Sequence, residues 1–120
     1  SGLCALAFSI HLALLGETGL RRLARLNHAR ACALATALEE VPGLELLTNT
    51  FFNEMTVRLN RPAAPVVEAL ASQGILAGVP VSRLDPAAPD VANLLVLAAT
   101  ELTTEEDIAA LTRALTEVLK

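Results

Sequence analysis

The order of apolar and polar positions divides the chain into helical and extended stretches. Leu20, Leu23, Asn27, Ala31, Leu34 and Leu38 recur at steps of three and four, while Arg21, Arg22, Arg25 and Arg30 fall mostly elsewhere, which predicts a long amphipathic helix. Upstream, Leu3 to Leu15 is apolar nearly all round, and a helix of that kind is buried on several sides where it works. Gly16 separates the two helices, and Glu17-Thr18-Gly19 restarts the second. Val41-Pro42-Gly43 ends it, and a short strand from Leu44 to Leu47 closes on Thr48-Asn49-Thr50. From Glu54 to Leu59 the residues alternate, with Met55, Val57 and Leu59 on one face, as in a strand buried on one side.

Asn60-Arg61-Pro62 then caps and opens a helix carrying Val66, Val67 and Leu70, with Gly74 suited to its C′ position. Ile75 to Val81 fits a broken strand, and Leu84 to Asn93, with Pro86 and Pro89, a loop. Leu94 to Ala98 fits a buried strand. A last helix opens with a capping box, Thr103 and Glu106, and turns Ile108, Leu111, Leu115 and Val118 to one side. The expected order is two helices, β, β, α, β, α. It suits an α+β fold: a small, mostly antiparallel sheet with helices packed over one face.

Composition narrows the function classes. A chain of 120 residues holds one domain and one core. At 53% hydrophobic it carries more apolar surface than such a core needs, which points to a missing partner and to self-association of the piece alone. The stretch from Leu3 to Leu15 contains Ser9 and His11 and is too short to cross a bilayer of about 30 Å, so no membrane span is expected. The net charge of −4 argues against a nucleic-acid binder, which needs a basic footprint. Cys4 and Cys32 lack CxxC spacing and are too few for a disulfide scaffold, so a reducing cytoplasm is expected. Ser1-Gly2-Leu3 leads into helix interior without a polar first turn, and the natural chain is expected to continue upstream.

The only lysine is Lys120, the last residue. Imine chemistry needs an amine in a desolvating pocket, so it is not expected of this chain alone. His28 and Cys32 stand four apart and Cys4 and His11 seven apart, but seven helical residues span about 10.5 Å. Two ligands of one zinc must both come within about 2.3 Å of it, so packed thiols and imidazoles are the better account. GxSxG, HExxH, P-loop and GxGxxG patterns are absent, and Gly74-Ile75-Leu76-Ala77-Gly78 lacks the Lys and Ser/Thr of a phosphate loop. Arg21, Arg22 and Arg25 suit a solvated helix face. Phe51-Phe52-Asn53-Glu54 sets two aromatics beside an amide and a carboxylate at a strand entrance. It suits either a ligand contact or a plug for the core end; Thr100-Glu101, after the last strand, suits either a contact with a partner's substrate or a cap on backbone groups before the last helix.

Five blocks taken in order resemble one family: Gly2-Leu3-Cys4-Ala5-Leu6-Ala7, Leu14-Leu15-Gly16-Glu17-Thr18-Gly19-Leu20, Phe51-Phe52-Asn53-Glu54, Gly74-Ile75-Leu76-Ala77-Gly78 and Thr100-Glu101. It is glycine dehydrogenase (decarboxylating) subunit 1, the P-protein of the glycine cleavage system, and the resemblance runs from about residue 2 to 119. The resemblance implies the carboxy-terminal small domain of a fold-type I pyridoxal-phosphate transferase. On that basis the 120 residues form a single domain, with a helical segment, residues 1–40, that connects to an upstream large domain, and an α/β part, residues 41–120.

It further implies a role in an enzyme that decarboxylates glycine and passes the aminomethyl group to a lipoyl carrier protein. No cofactor is expected in this chain; the pyridoxal phosphate lysine is expected on subunit 2, which the chain would complete in a heterotetramer. Asn53, Glu54, Thr100 and Glu101 match the family's blocks, and Arg83 is a candidate anion contact. With Phe52 they form the expected pocket or subunit-interface set, and none is assigned a catalytic step. Leu102-Thr103-Thr104 and Ser82-Arg83-Leu84-Asp85-Pro86 depart from the family pattern. Two other accounts fit the same elements: a stand-alone ferredoxin-like module binding a small metabolite, and the small domain of an aminotransferase or cysteine desulfurase.

Overall fold

A computed structural model describes all of residues 1–120. The chain opens with helix α1 (Gly2–Glu39), broken at Gly16, whose φ of 65° and ψ of −177° lie outside the helical region. A left-handed φ is available to glycine without steric cost, so the expected division into two helices falls where the sequence places it. Taken whole, α1 is long and apolar enough to cross a membrane. Its first straight arm, residues 2–15, is about 21 Å long, short of the roughly 30 Å hydrocarbon layer. That arm stands clear of the core, with Leu3 80%, Phe8 64% and Leu14 83% exposed. In the second arm Asn27, Ala31, Leu34, Ala35 and Leu38 are buried, whereas Leu20 lies outside the core.

Three-residue strand β1 (Leu44–Leu46) and β2 (Glu54–Leu59) pair antiparallel, and Leu47 N–H extends the ladder to Thr56 O at 2.9 Å. Helix α2 (Ala63–Ala71) follows. Its N-cap is Pro62, with no side-chain cap bond, so the expected capping role of Asn60 is not what forms. Asn60 Nδ2 donates instead to Leu119 O at 2.9 Å, and Arg61 donates to Lys120 O at 2.9 Å, tying the end of the chain to the turn that follows β2. At the other end of α2, Gly74 N–H donates to Ala71 O and Ile75 N–H to Leu70 O. With Gly74 at φ 82° this is a Schellman closure, and Gly74 is its C′ residue.

The expected broken strand from Ile75 to Val81 reduces to β3 (Val79–Pro80), followed by a single helical turn, α3 (Val81–Leu84), that the sequence pattern did not announce. The physical reason is local. At Gly78 the backbone comes so close to the Val96 carbonyl that a Cβ would collide with it, and Pro80 has no N–H to continue a ladder. Strand β4 (Leu94–Ala98) pairs with β2 and β3, giving an antiparallel sheet of order β1-β2-β4-β3.

Helix α4 (Glu105–Val118) begins at a capping box one residue later than expected. Thr104, not Thr103, is the N-cap, and its partner is Asp107, not Glu106. Thr103 is occupied elsewhere, its Oγ1 accepting from Thr100 N–H at 3.0 Å. Ile108, Leu111, Ala114 and Leu115 are buried, and Val118 is half-buried. Met55, Val57, Leu59, Leu95 and Leu97 form the inner face of the sheet and share one core with α1, α2 and α4. Glu54, Arg58 and Ala98 on the opposite face remain exposed. The architecture is the expected α+β layer, helices over one side of a small antiparallel sheet. Removing a fully buried side chain such as Leu97 or Leu115 costs about 2–5 kcal/mol by the usual sum of lost transfer energy and residual cavity.

Candidate functional site

The register of β2 against β4 gathers the sequence-predicted residues. Glu54 lies opposite Ala98, and Ala99 N–H donates to Asn53 O at 3.0 Å, so the entrance of β2 and the exit of β4 share one end of the sheet. Phe52, Asn53, Glu54, Thr100 and Glu101 are therefore neighbours. Arg83 is not among them. It follows β3, whose Pro80 pairs with Leu95 near the start of β4, so it lies toward the opposite end of the sheet, exposed.

Two residues of α1 that the sequence did not single out as site residues hold this end together. Asn27, 9% exposed, donates through Nδ2 to Leu23 O and to Glu101 Oε2, both at 2.9 Å. Both amide protons are thus used, and one carboxylate oxygen of Glu101 is fixed. His28 Nδ1 lies 2.8 Å from Phe52 O. A carbonyl only accepts, so Nδ1 carries the proton. The imidazole also stacks on the Phe52 ring, with centroids 6.2 Å apart and planes at 9°, and tilts at 54° against Phe51. The signal for Asn27 was available: it is the one polar residue on the apolar stripe of its helix. His28 carried no such signal, because its partner is a backbone carbonyl 24 residues away.

After β4 the chain turns on its own hydroxyls. Thr103 Oγ1 accepts from Thr100 N–H, and Thr100 Oγ1 accepts from Leu102 N–H at 3.2 Å. This fixes the loop that carries Glu101 and aims α4. The capping box draws Asp107 below the ordinary carboxylate range, first through the Thr104 backbone N–H and then through the Thr104 hydroxyl. Beside this end lies an open cleft of about 350 Å³, lined among others by Leu34, Ile75, Leu76, Leu97, Ala98 and Asp107. The geometry offers an exposed carboxylate on Glu54, a positioned one on Glu101, a half-exposed aromatic on Phe52 and an apolar cleft. Those groups can accept hydrogen bonds or ion pairs and receive an apolar side chain. They contain no set of three or more metal-ligating side chains.

The sequence model of the glycine cleavage system P-protein matches residues 1–115. The probable glycine dehydrogenase (decarboxylating) subunit 1 of Rhodospirillum centenum is 63% identical over 120 residues, covering 100% of this chain and 27% of that protein. A crystal structure of glycine decarboxylase (P-protein) of the glycine cleavage system, in inhibitor-bound form, is 40% identical with a TM-score of 0.81, covering 92% of this chain and 24% of that one. At the level of fold, a C-DES mutant with glycine covalently linked to its pyridoxal phosphate cofactor superposes with a TM-score of 0.65 at 18% identity, over 81% of this chain and 24% of that one. The architecture is one found in fold-type I pyridoxal-phosphate enzymes. The chain spans about a quarter of the length of the curated relatives it matches.

Proposed function

We propose, since this chain belongs to the glycine cleavage system P-protein family, that it serves as the carboxy-terminal small domain of a decarboxylating glycine dehydrogenase subunit 1 and completes that enzyme rather than catalysing alone. The enzyme decarboxylates glycine on pyridoxal phosphate and hands the aminomethyl group to a lipoyl carrier protein in the cytoplasm. Residues 1–40 connect to a preceding large domain, and residues 41–120 form the small domain proper. Subunit 2 is the partner, in a heterotetramer, and carries the cofactor lysine.

One observation carries the reading that this chain completes an enzyme rather than catalysing alone. The only amine side chain, Lys120, is 68% exposed and sits in an ion pair with Glu117 at 2.7 Å, in water at the end of α4. Holding pyridoxal phosphate covalently needs a lysine in a desolvating pocket, and no residue here fits that requirement. When bound in the assembled enzyme, the cofactor supplies the electron sink for carbanion chemistry. The residues of this chain do something else. Glu54 and Glu101 present acceptors and Phe52 presents an apolar surface; Asn27 holds Glu101 and His28 holds Phe52, which suits a wall of a pocket or a seam between subunits. Arg83 serves a separate contact with an anion at the far end of the sheet. The exposed apolar side chains of residues 2–15 are covered by the rest of the enzyme, and without it they drive the chain to associate with itself.

The test compares the purified chain with the assembled two-subunit enzyme, measuring pyridoxal phosphate absorbance and release of labelled CO2 from glycine. Both signals are expected only from the assembly. Tight cofactor binding by the chain alone overturns the assignment.

A further inference from the structure

We propose that Cys32 is a reactive thiol, activated by His28, that exchanges with small disulfides. Its Sγ lies 3.5 Å from His28 Nε2. The Phe52 carbonyl holds the proton on Nδ1, so in the neutral ring Nε2 is the acceptor and the Cys32 S–H is its donor. A nucleophile, a base and a group that orients the base therefore stand in line, the arrangement that nucleophilic catalysis uses. Stacking on Phe52 and contact with Phe51 hold the imidazole plane.

The thiol is exposed and lies at a shallow recess of about 280 Å³, lined among others by Thr36, Glu39, Thr48, Asn49 and Phe51. Glu39 in that recess favours a cationic disulfide over an anionic one. The step balances without a further reagent. The Cys32 proton passes to Nε2, the sulfur attacks one sulfur of the disulfide, a new S–S bond forms, and the departing thiolate takes the proton back from His28. The adduct then stands beside Phe51, in the segment that carries Phe52 and Glu54.

Free glutathione, a small thiol with no imidazole bonded to it, is the reference. The test treats the full-length subunit with cystamine and, separately, with iodoacetamide, reads Cys32 by peptide mass spectrometry over time, and measures glutathione with the same reagents. Cys32 is expected to react roughly tenfold faster than this unassisted thiol. His28→Gln is expected to bring Cys32 down to the rate of glutathione or below it with both reagents. A Cys32 rate in the unaltered protein no greater than that of glutathione, or one unchanged by His28→Gln, overturns the proposal.

Discussion

Replacing Asn27 by alanine tests whether the contact from α1 to Glu101 is what fixes this end of the sheet. The substitution removes the 2.9 Å bond to the Glu101 carboxylate and a second one to Leu23 O. The second loss is cheap, because Leu23 O keeps its backbone helix bond. A hydrogen bond to a charged group is worth about 1.5–3 kcal/mol, and the lower end applies here because Glu101 is half-exposed and regains water. Alanine returns about 0.6 kcal/mol through its better helix propensity. The net loss is therefore about 1 kcal/mol, and an unfolding entropy near 0.25 kcal/mol/K for a chain of this size makes that about 4 °C in Tm.

Because the two effects of Asn27→Ala oppose each other, the single variant understates the contact. A double-mutant cycle with Glu101→Ala, followed by urea unfolding, isolates it. A coupling energy near 1.5 kcal/mol is expected, and additivity within about 0.3 kcal/mol refutes the reasoning.

Two more outcomes follow from the same structure. Asp107 is held below the usual carboxylate value in the folded state, so its contribution is fully present above that value and is lost as pH falls through the depressed one. The Tm gap between the natural protein and Asp107→Asn is therefore expected at neutral pH and should close under strongly acidic conditions; a gap independent of pH contradicts the capping argument. The exposed apolar arm predicts that the purified chain self-associates, and that Phe8→Glu shifts its sedimentation mass toward the 12.6 kDa of one chain. A chain that is monomeric before any substitution removes the basis for this.

How far the sequence reached depends on whether local or distant partners decide each feature. Glu54–Leu59 was legible because strict alternation has one solution when one face is buried, and Leu94–Ala98 because a short apolar run bounded by turns has few others. Once those two strands pair, Glu54 opposite Ala98 brings Phe52 and Glu101 to one place with no further information. Arg83 could not be placed in that way. Its position follows from β3, a two-residue strand set by the close approach of Gly78 to Val96, and no periodicity records that contact.

The start of α4 shows the same limit at the scale of one residue. On paper Thr103-x-x-Glu106 is the better capping box, since glutamate is the usual third residue, and Thr104-x-x-Asp107 is the weaker one. The choice falls to Thr104 because Thr103 already accepts from Thr100 N–H, a bond that exists only after β4 has ended and the chain has turned. Local chemistry thus offered two registers, and the loop carrying Glu101 selected between them. The carboxylate held by Asn27 and the direction of α4 are consequently set by one turn, and a substitution at Thr100 or Thr103 disturbs both together.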